Sequence, residues 1–319
     1  AWAPFRDRII TTDDFFELEE LPASIAVIGL GVIGLEIGQS LHRLGCTVVG
    51  IDIQEAVGGL TDPVAIKSAV EIIGGEMELW LGHEAQISEG SNGRLRVSAG
   101  GNTIEVERVL ASMGRQPNVE KLGLDAIGVP MDERGVPLFD PGTMQVGDLP
   151  LFLAGDVTGE RPLLHEAGDE GRIAGQNAVS DTVSAYRRKT PLNITFCDPN
   201  IVQVGQPYAS LDPETTAIGE VQMAPVGRAI IMAKNKGVIR VYADKTTGTM
   251  LGAEMVCIKA ENLGHLLAWS IQQGLKVGEL LQMPFYHPVI EEALQAALYD
   301  LYAKVDAKNP GPITELSPL

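Results

Sequence analysis

Three glycines carry the first chemistry in this sequence. Gly29, Gly31 and Gly34 stand in G-x-G-x-x-G spacing, directly after the apolar run 25–28. Val32, Ile33, Leu35, Ile37, Leu41 and Leu44 follow at helical spacing. Each glycine has a mechanical use: Gly29 for the tight strand-to-helix turn, Gly31 for close approach of a pyrophosphate, Gly34 for close helix–strand contact. The unpaired N–H groups and positive dipole end of the helix then face the phosphates. Residues 46–52 read as a second strand closed by Asp52, about 20 residues past the motif, where a dinucleotide fold places the carboxylate that bonds an adenosine ribose. Strand, glycines, helix, strand and acid in that order separate this reading from a glycine-rich turn with an acidic loop residue.

Two further groups could do chemistry. His287 carries an imidazole, the side-chain type whose unperturbed form titrates near neutral pH and can take and return a proton. Pro288 suits a first helical position, and Glu291 and Glu292 then lie in a helix's first turn, where negative charge is favoured. The residues alone leave open which acid orients the imidazole. Gly155-Asp156 ends the apolar run 151–154, expected to be a strand. A carboxylate there can bond a sugar or ribitol hydroxyl, or close an Asx turn. The remaining histidines (His42, His83, His165 and His265) have no metal-ligand spacing, and no metal is expected.

Behind these groups stand the elements that must position them. After Asp52, Asp62-Pro63 opens a helix through Val64, Ile66, Val70 and Ile73, stopped by Gly74-Gly75. A strand is expected near 76–81, a hairpin over 94–98 and 103–107 around Gly100-Gly101-Asn102, and a returning parallel strand over 109–113. A helix over 165–179 is rich in small residues. Past Thr190 the pattern becomes β-rich, with a meander expected over 228–233, 238–243 and 249–257. A helix with Leu263, Leu266, Leu267 and Ile271 on one face follows, then a short helix over 277–281. A last helix has Ile290, Leu294, Ala297, Leu298 and Leu301 inward. The fold class is therefore an α/β Rossmann-type nucleotide domain plus a C-terminal α+β domain, helices on an antiparallel sheet.

Composition narrows the partners. Asp and Glu outnumber Lys and Arg by 42 to 24, and a net charge of −18 argues against nucleic acid or an anionic membrane. Cys46, Cys197 and Cys257 are far apart and form no C-x-x-C or disulfide framework. With no apolar run of transmembrane length, a reducing cytoplasm is the expected location.

Four runs, in order, make the chain resemble the pyridine nucleotide–disulfide oxidoreductases, and most of all the dihydrolipoamide dehydrogenases. Residues 29–36, Gly29-Leu-Gly-Val-Ile-Gly-Leu-Glu36, are similar to the NAD motif. Gly114-Arg-Gln-Pro-Asn118 is similar to the run closing the NAD domain. Residues 153–159 are similar to the second flavin motif, and His287-Pro-Val-Ile-Glu-Glu292 to H-P-T-x-x-E. The resemblance implies cofactors NAD and FAD. It implies cofactor contacts at Gly29, Gly31, Gly34, Glu36, Asp52, Gly114, Gly155 and Asp156, and a His287–Glu292 dyad serving the disulfide of the other subunit of a homodimer. The substrate implied is a small dihydrolipoamide-like dithiol.

The resemblance also divides the chain into a linker (1–21), an NAD domain (22–141), a returning FAD-domain segment (142–189), a dimerisation domain (190–305) and a tail (306–319), expected to be disordered from Asn309 on. The family's first flavin motif and C-x-x-x-x-C redox pair do not occur in these 319 residues. The expectation is a fragment that binds NAD and dimerises without turnover. Two departures are Glu166, where relatives carry Lys, and Phe285-Tyr286, where dihydrolipoamide dehydrogenases carry His-Ala. Mercuric or glutathione-type reductases, a soluble transhydrogenase, or a non-catalytic NAD-binding dimerisation module are the alternatives.

Overall fold

In the computed structural model, residues 2–308 are described. They fall into two compact units, Ala1–Met113 with Thr190–Leu319, and Gly114–Lys189. The expected boundary near residue 141 does not coincide with this division, because the first sheet is complete at residue 111 and the chain from Gly114 on groups with the second unit.

The first unit opens with β1 (Ile9–Ile10) and α1 (Thr12–Phe15). The helix is capped as its sequence suggests: the Asp14 carboxylate accepts the Thr11 N–H and hydroxyl, each at 2.8 Å. Residues 1–21, expected as a linker, thus contribute a strand. β2 (Ser24–Ile28), α2 (Val32–Arg43), β3 (Thr47–Asp52), α3 (Pro63–Gly74) and β4 (Glu78–Leu81) follow. Then come β5 (Gln86–Glu89), β6 (Leu95–Ala99), β7 (Asn102–Val106) and β8 (Arg108–Ala111). The order β1-β8-β2-β3-β4 is parallel throughout, and β5-β6-β7 form a separate antiparallel sheet. The alternation of a strand's side chains explains the layering. Ile25 and Val27 of β2 share a core with Leu35, Leu41, Ala65 and Ile73 of the helices. Ala26 and Ile28 share another with Leu95, Val97 and Val106 of the small sheet.

The second unit is largely irregular. Its one long element is α4 (Leu164–Ala178). The expected strand over 151–154 is absent; the segment makes a single antiparallel bridge, Phe152 with Gln145. The small residues Gly168, Gly171 and Gly175 face open space, and the buried positions of α4 are Glu166, Glu170 and Asn177.

Back in the first unit come β9 (Leu192–Thr195), β10 (Asn200–Gly205), β11 (Thr216–Gln222), α5 (Gly227–Ile231), β12 (Val238–Asp244) and β13 (Met250–Cys257). They are followed by α6 (Ala260–Gln272), α7 (Val277–Leu280) and α8 (Glu291–Lys304). The antiparallel sheet runs β11-β12-β13-β10-β9. Leu263, Leu267, Leu294, Leu298 and Leu301 are buried in its core, each worth roughly 1.5–3 kcal/mol of transfer free energy.

Three expectations need correction here. Residues 228–233 are not a meander strand: 227–231 are helix α5, and the third meander strand is β11, earlier in the chain. Leu266 points outward rather than joining Leu263 and Leu267. Pro288 does not open the last helix, which starts at Glu291 after Ile290 as N-cap; the His287–Pro288 peptide is cis. The tail from Asn309 lies outside the described residues.

Candidate functional site

The turn between β2 and α2 is built by close contact. Gly29 has φ +93°, and a Cβ there would meet the Ser112 carbonyl oxygen at 2.5 Å. A Cβ at Gly34 would fall 1.9 Å from the Gly29 carbonyl oxygen and 2.7 Å from the Ser112 hydroxyl. At Gly31 nothing lies within 4 Å. Packing therefore demands two of the glycines, while the third borders open space at a helix start. The Leu35 N–H donates to the Gly31 carbonyl at 3.1 Å, the first bond of the helix. The N–H groups before it are those a helix leaves for an anion.

Asp52 closes the same turn. One carboxylate oxygen accepts the Leu30 N–H at 2.6 Å and the other the Gln54 N–H at 2.8 Å. Each oxygen keeps a second lone pair for a ribose hydroxyl. Gly31, Asp52 and the helix start together suit the pyrophosphate and adenosine ribose of a dinucleotide. The Glu36 carboxylate, on the same helix, accepts the Phe196 N–H at 2.8 Å, tying α2 to the chain after β9.

His287 and Glu292 meet at the start of α8. The imidazole Nδ1 lies 2.7 Å from one Glu292 oxygen, and the Val289 N–H donates to the other at 3.0 Å. These two bonds, the His287 bond first, hold the Glu292 carboxyl below its ordinary pKa. An ionised carboxylate only accepts, so Nδ1 carries a hydrogen, and in the neutral ring Nε2 then presents its lone pair. The His287 side chain is 81% exposed, so that lone pair is reachable. Glu291, the other acid of the first turn, has no bond to His287 among those formed here.

In the second unit, Gly155 has φ +85° and donates its N–H to Glu170 at 2.7 Å. Asp156 begins a short 3-10 helix, Asp156–Thr158, and is exposed, 3.3 Å from Arg115. Gly114 takes φ +92° beside Arg115, with open space around it. Gly155-Asp156 thus offers a backbone turn and an accessible carboxylate, which suit a polyhydroxylated group such as the flavin's ribityl chain. The sequence reading missed what supports them. Buried Glu166 and Glu170 share Arg188, at 2.5 and 2.9 Å, and Arg161 reaches Glu166 at 3.3 Å. The buried Glu166 carboxylate is therefore compensated by two arginines. The i, i+4 acids were visible; an arginine 18 residues further along carries no local signal.

Among the described residues, no group of three or more His, Cys, Asp or Glu is placed to hold a metal ion, and no helix is long and apolar enough to cross a membrane.

The geometry has counterparts among known proteins. Residues 3–171 match the family model described as pyridine nucleotide-disulphide oxidoreductase, and residues 192–298 match that family's dimerisation domain. A dihydrolipoyl dehydrogenase of Chlamydia muridarum is 28% identical over 89% of this chain and 62% of its own length. A mercuric reductase of Bacillus cereus is 28% identical over 91% of this chain and 47% of its own. The solved structure of LpdA from Mycobacterium tuberculosis superposes with a TM-score of 0.80 at 26% identity, over 92% of this chain and 64% of that one. The chain spans about three-fifths or less of the length of these curated relatives. On the two model matches, which run through the glycine turn, Gly155-Asp156 and the antiparallel sheet, this chain belongs to the pyridine nucleotide-disulphide oxidoreductase family.

Proposed function

We propose that this chain is the C-terminal part of a flavoprotein that passes electrons from a small, dihydrolipoamide-like dithiol to NAD⁺, as a homodimer in the cytoplasm. The family uses FAD and NAD(P). Bound, those cofactors supply electron-pair and hydride transfer; this chain's residues bind, orient and move protons. The helix start at Gly31 and the Asp52 carboxylate hold the dinucleotide, and Gly155-Asp156 serves the flavin. The single observation behind the thiol chemistry is the His287–Glu292 pair with its exposed Nε2. The thiol proton passes to Nε2, and the thiolate attacks one sulfur of a disulfide, forming a mixed disulfide as the old S–S bond breaks and its other sulfur leaves as a thiolate; the imidazolium so formed is held by the Glu292 carboxylate.

The cysteines favour a second reading for these 319 residues by themselves, a nucleotide-binding dimer without turnover. Cys46, Cys197 and Cys257 are free and buried. Burial pushes the Cys197 thiol up to about 12 and raises Cys257 as well, so neither is a thiolate near neutral pH.

Two activities of the full-length protein test the first reading: dihydrolipoamide oxidation by NAD⁺, and NADH oxidation by a quinone. His287→Gln should slow the first by about 10²–10⁴-fold, the contribution of a positioned base, and leave the second intact. A parallel fall in both would make His287 a structural residue. Faster turnover of Hg(II) or glutathione disulfide than of dihydrolipoamide would move the substrate to another branch of the family. NADH binding, dimeric sedimentation and no turnover by the 319 residues alone is the outcome the second reading requires.

A further inference from the structure

The loop from Val57 to Asp62 joins two places that the dinucleotide reading keeps apart. At its first end the Gly58 N–H donates to the Leu30 carbonyl at 2.9 Å, and Leu30 is the residue whose N–H is held by Asp52. At its other end the loop is fastened to the antiparallel sheet. Glu254 of β13 is fully buried, and one of its oxygens accepts the Thr61 N–H at 2.7 Å and the Asp62 N–H at 2.9 Å. Its other oxygen accepts the Tyr208 N–H at 3.0 Å and the Thr61 hydroxyl. Between the ends, the Gln203 side-chain amide of β10 donates to the Gly59 carbonyl at 2.5 Å. Asp62, also fully buried, caps α3 through Val64 and accepts from Arg240 and Tyr242 of β12, each at 2.9 Å.

A buried carboxylate needs its bonds, since leaving such a group short of donors is costly. Among the described residues no cation pairs with Glu254; its four donors come from the loop and from Tyr208. The sheet therefore fixes the loop, and the loop fixes the carbonyl side of the glycine turn. The geometry points to Glu254 and Gln203 as positioning residues for NAD(H): sheet residues that touch no nucleotide but set its affinity through the 57–62 loop. This rests on the proposed NAD site at Gly31 and Asp52.

The test is NADH affinity by calorimetry, well below the melting temperature, with the melting temperature recorded beside it. Gln203→Ala and Glu254→Gln should each weaken NADH by about 2- to 30-fold, the range found for residues that act on a site through intervening contacts. Lys304→Ala, which loses bonds to Ile218 and Asp300 at the far edge of the same sheet, should leave the affinity unchanged. Should Glu254→Gln fail to fold, Gln203→Ala, on a half-buried residue, still decides. A lower melting temperature with unchanged affinity overturns the inference and makes the contacts structural. An equal loss in Lys304→Ala overturns it too. A wild-type chain that binds no NADH instead defeats the nucleotide site itself.

Discussion

The glycine turn of the first unit and the Gly155-Asp156 segment of the second are the two backbone turns proposed above for cofactors, and they are held by opposite means. The turn is held by neutral contacts and backbone bonds: the Ser112 backbone against Gly29, Gly29 against Gly34, and Gly58 donating to Leu30. Asp52 is the one charge in it. The second segment hangs on charges. Glu170 takes the Gly155 N–H and then needs Arg188; Arg188 is shared with Glu166; Asp169 holds Lys189 and Arg172. Close packing leaves little room to adapt, whereas charge pairs tolerate rearrangement and respond to salt and pH. The turn should therefore exist ready-made without nucleotide, and the second segment should be the one that conditions alter.

The largest effect should come from testing the packed side. Gly34→Ala puts a methyl 1.9 Å from the Gly29 carbonyl oxygen, and neither backbone can yield without moving β2 or α2. We expect destabilisation of about 3 kcal/mol or more in urea unfolding, at or beyond the upper end for overpacking. Gly155→Ala meets only Ala167 at 3.6 Å and carries the strain of φ +85° with ψ −162°, a region nearly reserved for glycine, about 1–3 kcal/mol. If the two cost the same, the contrast between the segments is wrong.

What could be read from the sequence follows the same division. The glycine turn was legible because every partner it needs is a backbone atom or a glycine, and those have fixed spacing. The second segment was misread as a strand because 151–154 is apolar, yet only Gln145 bridges to it. Its true supports, Glu170 and Arg188, meet only through folding. In the antiparallel sheet, residues 228–233 suggested a strand by β-branched content, but Ala229 is buried as part of a helix. Strand β11 was overlooked because Gly219 interrupts its pattern. That glycine is required, since a Cβ there would sit 2.3 Å from the Ala297 carbonyl oxygen, where α8 crosses the sheet. His287 and its acids stood out by type; that Glu292 rather than Glu291 turns to the imidazole needed the structure or a resemblance.

A middle-sized effect sharpens the turn's role. Gly31→Ala adds a methyl to open space, so stability should change by less than about 1 kcal/mol. NADH affinity should nonetheless fall about tenfold or more, because on the proposed reading that space is where phosphates approach. Asp52→Ala should narrow the preference for NAD(H) over NADP(H) by roughly 1–3 kcal/mol, the scale of a charge-assisted hydrogen bond. Calorimetry with both nucleotides reads each change. Unaltered binding in Gly31→Ala would mean that the open space holds no phosphate.

The smallest effect lies on the charged side and depends on pH. Burial pushes the Asp169 carboxyl up, but hydrogen bonds and charge from Lys189 and Arg172 outweigh it, and the net pKa lies below the ordinary value. A carboxyl depressed in the folded state binds fewer protons there than in the unfolded chain. Its contribution is therefore complete above the ordinary value of about 4 and is lost as pH falls through the folded value. Both cations are largely exposed, which limits the contribution to about 1 kcal/mol or less. Asp169→Asn should thus lower the protection of the 180–189 segment against hydrogen exchange slightly at pH 7. The gap between variant and wild type should hold down to about pH 5 and close below about pH 4. Added salt at pH 7 should also shrink it. The amides around Gly29 and Gly34 should show neither response to the substitution. A gap that persists in acid, or one that appears equally at the glycine turn, would mean that charge does not hold the second segment in place.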